Sequence, residues 1–165
     1  MKKLNYGILI AGILLIASCS KDNTTNNNNN TTAPNGTWSF KSQTYNAAHS
    51  INDGHGQFYA FDSMINGLEV NGVEIDFLSS NGASGPYPVL NYRSGLPPGN
   101  CVLVTMVKTV GGGKTTYRST GGDGNQVANV TFTNGKITAI GSSIEMVNEA
   151  NTSDSAALTF NVHEN

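Results

Sequence analysis

Residues 130–139 read Val130-Thr131-Phe132-Thr133-Asn134-Gly135-Lys136-Ile137-Thr138-Ala139, and this alternation predicts a β-hairpin. Asn-Gly favours a type I′ turn, because both central positions of that turn need a positive φ. A two-residue loop at 134–135 pairs Phe132 with Ile137 and Val130 with Ala139 on one apolar face. Threonines and Lys136 then form the opposite face. The stretch therefore predicts antiparallel strands with one face in a core and one in solvent.

A similar pattern lies upstream in Leu68-Glu69-Val70-Asn71-Gly72-Val73-Glu74-Ile75. A type I′ turn at Asn71-Gly72 would pair Val70 with Val73, Glu69 with Glu74 and Leu68 with Ile75. We expect the apolar side chains of this second hairpin to share one face and both glutamates to face water.

The remaining strands are predicted from shorter runs. We expect them near 38–41, 58–61, 87–93, 101–110, 114–119, 144–147 and 156–162, with a single turn at 47–51. The run from Cys101 is apolar on both sides at its start, which is typical of a central strand. Roughly nine or ten short strands with regular turn signals predict an all-β fold. We favour an antiparallel β-sandwich, with an up-and-down or lipocalin-like barrel as the alternative.

The N-terminus has the features of an export signal. Lys2 and Lys3 precede an apolar stretch, 6–16, that is shorter than the ~20 residues needed to cross a bilayer. Leu14-Leu15-Ile16-Ala17-Ser18-Cys19 follows, with small residues before a cysteine. A basic start, a short apolar core and small residues at the cut site indicate a removable signal peptide.

These residues resemble the signal peptide and lipobox of bacterial lipoproteins. The resemblance implies that Cys19 carries diacylglycerol through a thioether, and two or more acyl chains anchor a protein stably. Ser20-Lys21-Asp22 is similar to the start of small outer-membrane lipoproteins from Bacteroidota-type bacteria. That likeness implies a location on the outer membrane, at its periplasmic face or at the cell surface.

Composition divides the chain into three parts. Residues 23–32 contain only Asn and Thr and so have no apolar surface to bury. We therefore expect a signal peptide at 1–18, the lipidated cysteine with a flexible tether at 19–33, and a single β domain at 34–165. From position 34 onward, six basic and ten acidic residues give a net charge of −4. Without a basic stripe, a nucleic-acid partner is disfavoured.

Aromatic residues are the ligand-binding candidates. Trp38, Tyr87, Tyr92 and Tyr117 are predicted to form a sugar-stacking platform, since Tyr and Trp combine an apolar face with a polar tip. Tyr87 and Tyr92 are the best placed of these for exposure. Gly36-Thr37-Trp38 resembles the first-strand motif of lipocalins, and this resemblance implies a barrel around an apolar cavity.

His49, Asp53 and His55 are the candidates for a metal site. Two imidazoles and a carboxylate can hold a transition metal, but the spacing matches no closed zinc pattern. A polar loop explains the same residues, so we assign no metal and expect no cofactor. Gly113-Lys114-Thr115 lacks the upstream glycine of a phosphate-binding loop. No serine lies in a Gly-x-Ser-x-Gly motif, and no residue is assigned a catalytic role.

Three functional hypotheses follow from the sequence. The leading hypothesis is a non-enzymatic, lipid-anchored binding or structural protein that recognises a glycan or a protein partner outside the cell. The alternatives are a carrier of a small apolar ligand, and an enzyme or metal site around His49 and His55. Asp62-Ser63-Met64 and Asp154-Ser155-Ala156 also resemble the O-glycosylation sequon of Bacteroidota.

Overall fold

The computed structural model describes residues 35–65, 68–78, 82–94 and 99–165. The predicted signal peptide, Cys19 and the tether lie outside these residues. The described part is built from antiparallel strands, with one short 3₁₀ turn at Gly122–Gly124. None of its residues belongs to a helix that is long and apolar enough to cross a membrane. The predicted all-β class is confirmed.

Thirteen strands lie in the described ranges. They are β1 (Gly36–Phe40), β2 (Gln43–Asn46), β3 (His49–Asn52), β4 (Gln57–Phe61), β5 (Met64–Ile65), β6 (Leu68–Glu69), β7 (Gly72–Phe77), β8 (Gly85–Pro88), β9 (Val102–Val110), β10 (Gly113–Ser119), β11 (Val127–Thr133), β12 (Lys136–Asn148) and β13 (Ser155–His163). Strands β5 and β6 pair with each other, and the other eleven form one sheet.

The hairpin predicted at 130–139 is confirmed in register and in turn type. Phe132 pairs with Ile137 and Val130 with Ala139. Both turn residues have a positive φ, 53° at Asn134 and 78° at Gly135, as a type I′ turn requires. Local turn chemistry and side-chain alternation agree here, so neither is overridden by the rest of the fold.

The hairpin predicted at 68–75 is wrong. Leu68 pairs with Ile65 of β5 instead of Ile75, and Gly72 begins β7, where it lies between Phe61 and Val107. The side chain of Asp62 explains the difference. Its carboxylate accepts hydrogen bonds from the backbone N–H (3.1 Å) and the side-chain amide (2.7 Å) of Asn71. These two hydrogen bonds keep Asn71 out of the predicted type I′ turn.

The sheet order is β2-β1-β13-β12-β10-β9-β7-β4-β3, with β11 and β8 branching from β12. The predicted central position of β9 is confirmed, since β9 pairs with both β7 and β10. The strand expected at 144–147 is the second half of β12, which continues past a β-bulge between Gly141 and Ile144. The strand expected at 87–93 begins at Gly85 and ends at Pro88.

The single turn expected at 47–51 is wrong, because this segment leads into β3. Strands β2 and β3 lie at opposite ends of the strand order, yet only residues 47–48 separate them in the chain. The sheet therefore curls until its two ends meet at this link. The resulting half-barrel is consistent with both the sandwich and the barrel-like alternative.

Asn35 holds this junction together. Its backbone N–H donates to the carbonyl of Ala47 (3.2 Å), and its carbonyl accepts from the N–H of His163 (3.0 Å). Its side-chain amide donates to the carbonyl of Ala48 and accepts from the hydroxyl of Ser50, both at 2.9 Å. This one buried residue thus connects the start of β1 to the link between β2 and β3, to β3 itself and to the end of β13.

The core lies on the inner face of the curled sheet. Its largest buried side chains are Trp38, Tyr87, Phe40, Phe58, Phe61 and Phe160. Strand β13 shows the expected period of two, since Leu158, Phe160 and Val162 are buried while the residues between them are exposed. Large side chains therefore occupy the inner face of the sheet.

Candidate functional site

Three connecting segments lie at the end of the sheet opposite Asn35. Strand β1 starts beside Asn35, and the turn 41–42 follows its other end, about 17 Å away. Strands β12 and β13 run antiparallel there and place the loop 149–154 at the same end. The hairpin tip 111–112 between β9 and β10 lies beyond the pairing of β10 with the end of β12. We call these three segments the far end.

The turn of the far end is strained. Phe40 pairs with Gln43 across a two-residue loop, and the two loop residues have a positive φ, 49° at Lys41 and 61° at Ser42. A residue other than glycine costs about 1–2 kcal/mol in this left-handed region. The ammonium of Lys41 donates to the hydroxyl of Tyr117 (2.9 Å) and to the carboxylate of Asp154. These contacts help to offset the strain.

Lys41, Tyr117 and Asp154 form a closed hydrogen-bonded triangle, since the hydroxyl of Tyr117 also donates to Asp154 (2.8 Å). The hydrogen bond from Lys41 lowers the pKa of Asp154 to about 2, and hydrogen bonds from Asn148 and Tyr117 act in the same direction. The pKa of Lys41 is raised chiefly by its bond to Asp154. Lys41 is therefore protonated at neutral pH, so it holds the turn in place and has no free amine for nucleophilic chemistry.

The loop 149–154 has a preset shape. The side chain of Asn148 accepts from the N–H of Ala150 (2.9 Å), and that of Asn151 accepts from the hydroxyl of Ser153 (2.7 Å). The N–H of Asn148 donates to the carbonyl of Asp154 (2.8 Å), which closes the base of the loop. A loop ordered in this way loses little conformational entropy when a ligand binds.

An open cleft of about 400 Å³ lies between this loop and β10, and we call it the end cleft. It is lined by Lys114, Thr115, Thr116, Asn148, Glu149 and Ala150. Its volume lies within the range of about 300–1,000 Å³ that is usual for small-molecule sites. The guanidinium of Arg118 lies 3.1 Å from the carboxylate of Glu149 and orients it. The lining thus offers an ammonium, two hydroxyls, an amide and a carboxylate.

A pair of carboxylates forms a second polar group, on the outward face of β7. Val73 and Ile75 are buried in the core, so Glu74 and Asp76 project from the opposite face. The amide of Gln57 donates to Asp76 (2.7 Å) and to Glu74 (3.2 Å). Burial and then the charge of Asp76 raise the pKa of Glu74 to about 7. The pair therefore shares a proton near neutral pH.

We predict that this pair makes the protein less stable as the pH rises. Glu74 has an ordinary pKa of 4.5, so between that value and about 7 the folded state binds more protons than the unfolded state. Stability therefore falls as the pH increases through this window. We expect wild type to lose about 1–2 kcal/mol between pH 5 and pH 8, after allowing for partial exposure. Urea denaturation at each pH measures this loss.

Glu74→Gln should remove the pH dependence, because glutamine keeps the acceptor for Gln57 and has no proton to lose. Glu145→Gln is the matched control, since Glu145 is exposed on β12. It should retain the wild-type slope. An unchanged slope in Glu74→Gln would show that the carboxylate pair does not control the effect.

The predicted aromatic platform is not presented on the surface. Trp38, Tyr87 and Tyr117 are buried, with exposed fractions of 1%, 2% and 4%. Trp38 instead stacks on Tyr45 with ring centroids 5.2 Å apart. The expected exposure of Tyr87 is wrong, because its ring packs edge-on against Phe77 in the core. Tyr92 is half-buried, and its hydroxyl accepts a hydrogen bond from Arg93 (2.7 Å).

The structure separates the three candidate metal ligands. His49 begins β3 and stacks on Phe61, with ring centroids 5.3 Å apart. Asp53 follows the other end of β3, and its carboxylate accepts the N–H groups of His55 (2.8 Å) and Gln57 (2.9 Å). These bonds lower the pKa of Asp53 and close the loop between β3 and β4. Within the described ranges, no three His, Cys, Asp or Glu side chains are grouped to hold a metal ion.

The two sequons lie in different environments. Ser155 is exposed at the start of β13, whereas Ser63 is half-buried between β4 and β5. Both preceding aspartates have structural partners, Asn71 for Asp62 and Lys41 for Asp154. Cys101 is buried, and its burial raises the pKa of the thiol.

Comparisons of this chain with protein-family models, with curated proteins and with solved structures found no match. The end cleft combines residues of β10 with residues that follow some thirty positions later in the chain. No local motif marks that combination, although the Asn-rich segment after β12 indicates an ordered turn at its edge.

Proposed function

We propose that this protein is a lipid-anchored, extracytoplasmic binding protein that recognises a glycan at the end cleft and has no enzymatic activity. The polar lining of the end cleft is the observation that carries the proposal. Hydroxyls, an amide and charged groups held on rigid elements match the many donors and acceptors of a sugar ring. The predicted lipid on Cys19 supplies the anchor.

The position of the end cleft supports the same proposal. Asn35, the first described residue, lies at one end of the sheet, and the end cleft lies at the other. The lipid predicted on Cys19 precedes Asn35 in the chain, whereas the end cleft lies at the end of the sheet away from the point where the described domain begins. The side chains that fill the inner face of the sheet favour this binding mode over transport of an apolar ligand inside the fold.

A glycan array probed with the full chain in non-ionic detergent tests this function. We expect saturable binding to one class of oligosaccharide. Thr116→Val should reduce the affinity at least about tenfold, because valine has no hydroxyl and the ligand group that bonds to this hydroxyl is left unpaired. Thr131→Val, on the exposed face of β11, is the matched control and should bind like wild type. Binding to no glycan, or equal losses in both variants, would contradict glycan recognition at this cleft.

A further inference from the structure

We propose that the glycan bound at the end cleft is acidic, and that a carboxylate group of the glycan contacts the ammonium group of Lys114. This inference rests on the proposed function and specifies its ligand class. It is carried by the distribution of charge in the domain and by the ion pairs of the far end.

Basic residues are concentrated at the far end. Of the six basic residues from position 34 onward, four lie on the turn, on β9 or on β10 near this end: Lys41, Lys108, Lys114 and Arg118. Only two of the ten acidic residues belong to the same region, Glu149 and Asp154. The region therefore has a net charge of +2, while the rest of the domain has −6.

The ion pairs leave the charge on two lysines. Lys41 is paired with Asp154, and Arg118 with Glu149. Among the residues that the structure describes, neither Lys108 nor Lys114 is in an ion pair. The two acidic residues of the region are thus already neutralised, and the excess positive charge resides on these two ammonium groups.

One of these two lysines is placed to reach a ligand in the end cleft, since Lys114 lines it directly. Lys108 pairs with Thr115, the residue after Lys114 on β10, so the side chains of Lys108 and Lys114 start on opposite faces of the sheet. A carboxylate in the cleft would therefore meet the ammonium group of Lys114. The negative charge elsewhere on the domain would steer an anionic ligand toward this end.

The test compares matched acidic and neutral ligands. Uronic-acid trisaccharides of the galacto, gluco and manno series are each titrated beside their methyl esters, which keep the ring and lose the charge. Binding to the full chain in non-ionic detergent is measured by isothermal titration calorimetry. We expect at least one acid to bind about tenfold or more tightly than its ester, because hydrogen bonds between an ammonium group and a carboxylate are stronger than those to a neutral ester.

Lys114→Gln should reduce the affinity for that acid about tenfold and leave the affinity for the ester unchanged. Lys136→Gln is the matched control, since Lys136 is exposed in the hairpin at the opposite end of β12 and should have no effect. Equal affinity for every acid and its ester would overturn the acidic ligand, while binding of neutral glycans on the array would leave the proposed function intact. An equal loss in Lys136→Gln, or full displacement by the same concentration of inorganic phosphate, would also overturn it.

Discussion

Cys19→Ala is expected to move the protein from the membrane fraction to the soluble fraction of the cell envelope. The predicted lipid attachment requires the thiol of Cys19, and each buried methylene contributes ~0.8 kcal/mol to membrane binding. Loss of two or more acyl chains therefore removes the whole anchor. Metabolic labelling with a fatty acid, followed by membrane fractionation, measures the change directly. Wild type should carry the label and the variant should not.

Cys101→Ala is the matched control, because Cys101 is the other cysteine of the chain and is buried immediately before β9. This variant should keep both the label and the membrane location. Its stability should change only by the loss of a small buried side chain. Wild-type labelling of Cys19→Ala, or its unchanged fractionation, would refute the lipid anchor and with it the anchored part of the proposed function.

Gly36→Ala is expected to destabilise the domain by about 4 kcal/mol or more, which is a large part of the 5–15 kcal/mol typical of a folded protein. A Cβ atom at this position would lie 2.0 Å from the carbonyl oxygen of Asn161 and 2.9 Å from the Cα of Val162. Both atoms belong to the backbone of β13, which is held by β12 on its other side. The backbone of Gly36 also has a φ of +92°, which disfavours alanine.

Guanidinium denaturation followed by fluorescence measures this effect, since Trp38 is the single tryptophan and is buried. Two control variants separate the clash from the backbone strain. Gly135→Ala places alanine at a φ of +78° in open space and should cost about 1 kcal/mol. Gly113→Ala has an ordinary φ and a Cβ contact of 3.7 Å, so its change should be about 0.5 kcal/mol or less. Similar midpoints for Gly36→Ala and Gly113→Ala would show that β1 and β13 do not pack as described.

The two Asn-Gly pairs chosen from the sequence show how far local patterns determine a hairpin. At 134–135 the turn signal and the alternation of side chains act together, and the structure follows them. At 71–72 the same dipeptide is overruled, because the carboxylate of Asp62 binds Asn71 and β7 finds partners in β4 and β9. Leu68 pairs with Ile65, so the strand that contains Leu68 has its partner upstream in the chain instead of downstream.

The functional residues were harder to predict than the strands. Tyr117 is among the aromatic residues predicted to bind a ligand, but its ring is buried and its hydroxyl joins Lys41 to Asp154. The end cleft depends on a loop after β12 meeting β10, which are neighbours only because β12 pairs with β10. The contact between this loop and β10 cannot be predicted from the spacing of residues in the sequence.

The sequence by itself determined the strand class, the hairpin at 130–139 and the central position of β9, because these depend on alternation and turn chemistry within a few residues. Its first residues also predict the lipid anchor at Cys19, a prediction that rests on the chain alone. The tertiary structure decided how the sheet curls until β2 and β3 meet, which aromatic rings are buried, and which charges are paired. Those outcomes depend on contacts between residues far apart in the chain, where packing and ion pairing outweigh local preference.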